Sequence, residues 1–451
     1  MNLVLFCCKI LVEMKLGMYY IINILKPVYY WKNSKIFAVL IILLFGIYLL
    51  IYSQLQDPYY SPLPVVNLEP NCSQLFVENN DPTVFIAAEN WKVPLNELHS
   101  DFELSQKIDL DCDSFINQSK YFINSQVNEE ETNFPIAFSL LVYKDASQVE
   151  RLLRMIYRPW NYYCIHIDLK SDKNFVKAIG SLVKCLNKNR NNMINTSNRL
   201  DVQWGEMTVL TADLNCMEEL YKKFKNWKYF INLTGQEFPL KTNAELVKIL
   251  LAFKGANNVD GTYQYRDNNR VPVVHMPFPL VWFKGSVHIT VNREFVKFIF
   301  ESSKSTIMLN ALKFSQVPDE QFFATLNYNA QLRIPGAFIG NPDDYLIGVE
   351  NLSFFLTRYK NRGIYNCQSK QTIRGLCIWG GGDLPTLITV PHLFANKFFE
   401  NFQPITLRCL EKWYYIKVYE ETASGKVAIN QSFYNSLPFV KYRYISIRDD
   451  L

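Results

Sequence analysis

Several things are scarce or missing in this sequence of 451 residues, and each absence removes a class of protein. No run of five or more Lys and Arg occurs, and the net charge of +5 is spread along the chain, so there is no electrostatic footprint for nucleic acid. No Cys-x-x-Cys pair occurs, and the five histidines (His99, His166, His275, His288 and His392) are scattered, which argues against a zinc site. Charged residues make up only 20% against 49% hydrophobic, a balance that can fill a sizeable core and excludes wholesale disorder. No internal repeat is found. The length holds two or three ordinary domains, or one large α/β domain with additions.

One apolar stretch has no charge at all: Ile36 to Tyr52, IFAVLIILLFGIYLLIY, 17 residues at the short end of a spanning helix. Lys26, Lys32 and Lys35 precede it, and the next charges are Asp57 and Glu69. The positive-inside rule therefore puts the N-terminus in the cytosol and the body in the lumen. A cleaved signal peptide has a shorter apolar region nearer the start, followed by a small-x-small site, and none follows directly here. The expected layout is a cytosolic tail at 1–35, a transmembrane anchor at 36–52 and a Pro-rich stem at 53–71. The tail is oily in places, and the sequence gives no account of why.

Ten cysteines occur, Cys7 and Cys8 ahead of the anchor and eight after it. An even number in an oxidising compartment implies four disulfides, with 105 possible connectivities. Six sequons follow the anchor, at Asn71, Asn117, Asn195, Asn232, Asn351 and Asn430, each a candidate glycosylation site.

Residues 72–133 mix polar and apolar positions with weak periodicity and read as an N-terminal cap on a main domain at 134–451. The main domain opens with a buried strand, Pro135 to Tyr143, then a helical pattern from Ala146 to Tyr157. A second strand, Tyr162 to Ile167, is closed by Asp168. Helices are expected at 174–186 and 207–224, and a third strand from Tyr229 to Leu233. Such alternation argues for a parallel sheet covered by helices on both faces, with ligands at the carboxyl ends of the strands. That puts Asp168 and Thr234 to Glu237 on the ligand side. From Val273 the composition suits short antiparallel strands, a helix resumes at Arg293 to Phe300, and residues 318–327 start another with Pro318, Asp319 and Glu320. The tail after Cys409 is not readable as one element.

A diphosphate at such a sheet is often held through a divalent cation on an Asp-x-Asp pair at a strand end. Asp109-Leu-Asp111-Cys-Asp113 has the pattern but precedes the first core strand, and a solvated surface suits it better. No other Asp-x-Asp follows an expected strand, so fixed cations are expected to replace the metal. Arg374 and Lys397 are candidates, flanking the glycine turn Trp379 to Asp383 that admits close backbone approach. Glu320 is the candidate general base, a carboxylate able to take the proton of an attacking hydroxyl. On spacing alone, Arg374 and Lys397 read equally as surface charge, and Glu320 as an acid favoured by a helix dipole.

Taken together, FPIAFSLLVYKDASQVERLLRMIYRPWNYYCIHIDLKSD (134–172), ADLNCMEEL (212–220), YFINLTGQEFPLKTN (229–243), PDEQFFATL (318–326) and CIWGGGDLPTLITVPHLFANKF (377–398) resemble the core 2/I-branching family of β-1,6-N-acetylglucosaminyltransferases, glycosyltransferase family 14. The resemblance covers residues 72 to 415. It implies a GT-A type fold, a Rossmann-like mixed sheet with flanking helices, and inverting transfer from UDP-N-acetylglucosamine to the C6 hydroxyl of a galactose or N-acetylgalactosamine in an O-glycan, with no metal or other cofactor. It implies Glu320 as catalytic base, Leu141, Val142 and Asp168 around the uridine, and Arg374 and Lys397 on the diphosphate. It implies the pairs Cys72–Cys409, Cys112–Cys185, Cys164–Cys216 and Cys367–Cys377. With the anchor, it implies a type II Golgi membrane protein with a lumenal catalytic domain.

The chain departs from the family in two places. The loop expected to meet the acceptor, 254–272, is short, and offers Arg266 and Arg270 as candidate acceptor contacts. The segment before Cys367, FLTRYKNRGIYNC, lacks a Trp that vertebrate members carry. A donor other than UDP-N-acetylglucosamine, such as UDP-glucose or UDP-xylose, is the alternative, and a non-catalytic glycan-binding protein on the same fold is the second.

Overall fold

A computed structural model describes residues 71–446, except 78–81, 95, 96, 98, 123–128, 189, 346–354 and 363–366. All of them fall in the unit Leu68–Leu451. The expected tail, anchor and nearly all of the stem (53–70), and the Asn351 sequon, lie outside the described residues. Among the described residues no helix is long and apolar enough to cross a membrane.

The central sheet has six strands: β1 (Ile136–Val142), β2 (Tyr162–Ile167), β3 (Met193–Asn195), β4 (Tyr229–Thr234), β6 (Asn258–Val259) and β7 (Ile289–Asn292), in the order β3-β2-β1-β4-β7-β6. The first four run parallel, as the alternation of strands and helices predicts; β7 is antiparallel to both β4 and β6, so the sheet is mixed. This mixed α/β arrangement fits a GT-A-type glycosyltransferase.

The pleat decides the two faces. Ile136, Phe138, Leu140 and Val142 pack with Leu152, Ile179 and Leu246 from the helices Ala146–Ile156, Lys173–Asn187 and Asn243–Ala252. On the other face Ala137, Phe230 and Val291 pack with Leu210, Met217 and Leu220 of the helix Met207–Lys223. Helix bounds agree with the expected ones to a residue or so, because the apolar spacing is strong where a helix lies on a buried sheet. A third cluster joins Leu75 and Trp91 to Trp379, Leu384 and Leu410.

Four expectations need correction. The stretch from Val273 yields only β7 as a strand beyond an isolated bridge at Thr262 and Lys284, since its prolines remove ladder donors. The tail after Cys409 continues the helix Ile405–Ser424 and then forms two short helices, Gln431–Ser436 and Pro438–Lys441. The glycine turn closes on protein: a side chain at Gly380 would meet Gln403 Oε1 at 2.4 Å, and Asp383 accepts from the Gly380 and Gln368 N–H groups at 2.9 Å each. Asn232 is only 3% exposed, donates to Val287 O at 2.8 Å and accepts from Ile289 N–H at 2.8 Å. It cannot carry a glycan in the folded protein, whereas Asn71, Asn117, Asn195 and Asn430 are exposed.

The disulfides among the described residues are Cys72–Cys409, Cys112–Cys185, Cys164–Cys216 and Cys367–Cys377, the pairs the family resemblance implies. Residues 72–133 are helical over much of their described length. The helix Asp101–Leu110 packs on Lys173–Asn187 of the main sheet layer, and Cys112–Cys185 fixes it there.

Candidate active site

The chain moves to one side of β1 to make β2 and β3, then to the other to make β4. The crevice between the carboxyl ends of β1 and β4 is the switch point where such sheets bind ligands. Leu141 and Val142 are the last two residues of β1. Just beyond, the Tyr143 hydroxyl accepts from Gln236 Nε2 at 3.1 Å, across the crevice from the turn after β4. Asp168 follows β2. Its N–H donates to Val142 O at 2.9 Å, and its carboxylate accepts from the Lys170 N–H at 2.8 Å. At 9% exposure the carboxylate is fixed at the strand end, where it can accept from a hydroxyl or ring N–H.

Two short sheets bring the cations to this edge. In one, β5 (Glu237–Pro239) pairs with β11 (Phe394–Asn396), which pairs with β8 (Arg358–Tyr359). Lys397 follows β11, and its carbonyl accepts from Trp379 N–H at 3.0 Å. The other sheet is a hairpin, β9 (Thr372–Ile373) and β10 (Leu376–Cys377). Its turn is Arg374-Gly375, with φ of 52° and 74°, a two-residue turn with both φ positive. Cys367–Cys377 anchors the hairpin base and leaves the Arg374 side chain exposed. Burial and then the Arg374 charge pull the Lys397 ammonium below its usual range. Two cations within each other's field form an arrangement that an anion relieves.

Glu320 ends a 3₁₀ turn, Pro318–Glu320, ahead of the helix Phe322–Tyr328; the single helix expected over 318–327 is therefore broken at Gln321. Its backbone is held at both ends: the N–H donates to Val317 O at 3.1 Å, and the carbonyl accepts from Gly285 N–H at 2.6 Å. Gly285 has no room for a side chain, which would lie 2.1 Å from Asp260 O. Glu320 opens onto a small cleft shared with Arg266, Arg270, Phe283 and Lys284. The structure thus brings both candidate acceptor contacts to the cleft of the candidate base. Arg266 stacks on Tyr263 at 3.8 Å and donates to Trp282 O at 2.9 Å, while Arg270 pairs with Asp267 at 3.3 Å.

Beneath the site lies a buried polar network, of which the sequence pattern places only Thr234 and Glu237 on the ligand side. Arg358 donates to Glu237 at 2.8 Å and to the carbonyl of Asn232. Glu237 also meets His288 at 3.5 Å and accepts from Thr234 at 3.2 Å. Asp213 accepts from Ser139 at 2.7 Å and from Asn232, and burial pushes it up to about 6. Lys360 donates to Ser286 Oγ at 2.9 Å, and burial pulls it down to about 8. Burial also raises Asp260 and holds His288 well below its ordinary value, hence neutral. Asp213 sits in a helical pattern and Arg358 in a two-residue strand, so neither had a signature. The one available signal was Glu237, a carboxylate just after β4 and directly before the apolar Phe238-Pro239-Leu240.

Among the described residues no group of three His, Cys, Asp or Glu side chains could hold a metal ion. Asp109, Asp111 and Asp113 have separate tasks: Asp109 faces Lys177 at 3.8 Å, Asp111 caps a helix by accepting from Ser114 N–H at 3.0 Å, and Asp113 pairs with Lys188 at 2.8 Å.

Known proteins match this chain over the same region. The family model for the Core-2/I-Branching enzyme matches residues 136–373. A Bos taurus beta-1,3-galactosyl-O-glycosyl-glycoprotein beta-1,6-N-acetylglucosaminyltransferase is 32% identical over 324 residues, 67% of this chain and 74% of its own length. A Homo sapiens N-acetyllactosaminide beta-1,6-N-acetylglucosaminyl-transferase is 33% identical over 346 residues, 72% and 82% of the two chains. A Mus musculus beta-1,3-galactosyl-O-glycosyl-glycoprotein beta-1,6-N-acetylglucosaminyltransferase 4 is 35% identical over 328 residues, 66% and 70%. With a family model spanning more than half of its length and relatives matched over most of theirs, the chain belongs to the core-2/I-branching enzyme family.

Proposed function

We propose that this protein is an inverting β-1,6-N-acetylglucosaminyltransferase. It moves N-acetylglucosamine from UDP-N-acetylglucosamine to the C6 hydroxyl of a galactose or N-acetylgalactosamine, branching O-glycans on glycoproteins. The observation that carries the reading is the presence of two features: Arg374 and Lys397 within each other's field at the carboxyl edge of the sheet, and Glu320 opening onto a cleft with Arg266 and Arg270. The names of the relatives supply the sugar and the linkage.

Glu320 takes the proton from the acceptor C6 hydroxyl as that oxygen attacks the anomeric carbon. The bond from the anomeric carbon to the β-phosphate oxygen breaks on the opposite face, its electron pair leaves with UDP, and the anomeric configuration inverts. Arg374 and Lys397 balance the charge growing on the diphosphate, a task for fixed cations in place of a metal. Asp168, Leu141 and Val142 hold the uridine. Arg266 and Arg270 meet the acceptor. The apolar stretch at 36–52 anchors the chain in the Golgi membrane as a type II protein, with the body in the lumen.

The test is transfer by the purified protein to a core 1 O-glycan acceptor from UDP-N-acetylglucosamine, UDP-glucose and UDP-xylose, each with and without excess EDTA. The expected result is β-1,6-linked N-acetylglucosamine and full activity in EDTA. Preference for another sugar overturns the donor, strict Mn²⁺ dependence overturns the role of the two cations, and no transfer from any donor favours a glycan-binding protein.

A further inference from the structure

Trp204 is 65% exposed, a large apolar surface left in water outside any core cluster. Its loop, Thr196 to Glu206, reaches Asp168, the turn that carries Glu320, and Arg374. Arg199 donates to Asp168 O at 2.7 Å, and Leu200 O accepts from Leu169 N–H at 2.9 Å. Gly205, at φ +82°, has its carbonyl accepting from Val317 N–H at 2.8 Å, at the head of the turn that carries Glu320. Between these two anchors the Trp204 ring lies against the Arg374 guanidinium, 4.8 Å from ring centroid to Cζ.

Arg374 is at the tip of a two-residue hairpin, exposed, and among the described residues it makes no side-chain hydrogen bond or ion pair. Its N–H donors are therefore available to a ligand, and the aromatic face is the contact that localises them. A cation over a tryptophan face is held by the ring quadrupole without using its hydrogen-bonding edge.

We propose that Trp204 is a positioning residue for the donor diphosphate, an aromatic platform that holds Arg374 over the crevice. This rests on the reading of Arg374 as a diphosphate ligand. It makes the 196–206 loop a specificity element for the charged part of the donor, distinct from the uridine contacts.

The experiment compares inhibition by UDP and by uridine, which lacks the diphosphate, in wild type, Trp204→Ala, Trp204→Phe, Arg374→Ala and the double variant Trp204→Ala/Arg374→Ala. Trp204→Ala should weaken UDP about threefold to tenfold, the range of a partly exposed cation–π contact. It should lower kcat and leave both uridine inhibition and the acceptor KM unchanged. Trp204→Phe should restore most of the UDP affinity. In the Arg374→Ala background the tryptophan change should cost nothing further. UDP should also alter the tryptophan fluorescence of wild type in a way that Trp204→Phe abolishes. Equal weakening of uridine and UDP, or an undiminished tryptophan effect without Arg374, overturns the platform. So does a normal UDP affinity for Trp204→Ala while Arg374→Ala binds UDP poorly. Unchanged UDP binding by Arg374→Ala instead removes the diphosphate reading of Arg374 itself.

Discussion

Asp319 and Glu320 are neighbours in one turn and meet opposite surroundings. Glu320 faces a cleft, while Asp319 is 7% exposed with an Oδ1 that has no hydrogen-bond partner among the described residues. Burial, and then the Glu320 charge, push the Asp319 carboxyl up to about 7. A carboxyl raised from 3.8 in this way contributes stability that is fully present below pH 3.8 and lost as pH rises through about 7. Replacing it with a group that cannot ionise should remove that loss. Asp319→Asn should therefore gain Tm relative to wild type at pH 8 compared with pH 4; an equal difference at both would refute the assignment. For Glu320 the expectation concerns rate. Glu320→Gln should lower kcat on the order of 100-fold or more, the usual weight of a general base. Its Tm and inhibition by UDP should stay as in wild type, and full activity would end the proposed role.

At the scale of elements, the sequence was most legible where a helix or strand buries one continuous apolar face. Ala146–Ile156 and Tyr162–Ile167 are such elements. The helix Asn243–Ala252 has a start signal in Thr242 and Glu245, a reciprocal capping box with bonds of 3.1 and 2.8 Å; the sequence reading does not place it. The strands β6, β8, β9 and β10, two residues each, carry no period at all, and their pairing comes from tertiary contacts. That is why Arg374 and Lys397 stand as candidates by family motif and not by spacing. Helix-to-helix ion pairs were equally hidden. Arg151 and Arg154 reach across to Glu411 of the long C-terminal helix, and each keeps a second carboxylate, Glu400 and Glu150. Because those second partners stay, Glu411→Ala should cost about 2 kcal/mol, under the roughly 3–5 kcal/mol of a fully orphaned buried charge. Denaturant unfolding measures it; no change would make the cluster ornamental.

At the scale of the whole described body, the widest tie among the described residues is Cys72–Cys409, which closes a loop of 337 residues between the helices Cys72–Leu75 and Ile405–Ser424. Chain entropy alone makes its removal worth roughly 6 kcal/mol. Cys72→Ser/Cys409→Ser should lower Tm by several degrees with little change in the donor KM, because the bond lies in the third core cluster and not in the crevice. A selective loss of donor binding at unchanged Tm would contradict that. The even count of cysteines behind the apolar stretch was legible by itself, but their partners only through the family resemblance, since connectivity is a property of the fold.

Asn232 adds a matter of timing. It is both a sequon and a strand residue whose side chain is spent on Asp213, Val287 and Ile289. A chain threaded into a glycosylating compartment exposes Asn-Leu-Thr before the sheet can close. An oligosaccharide attached then would stand where β7 must dock, and that copy could never complete its sheet. In the lumenal topology proposed above, each nascent chain would run a race between strand pairing and a modifying enzyme, and the yield of working molecules would depend on who arrives first.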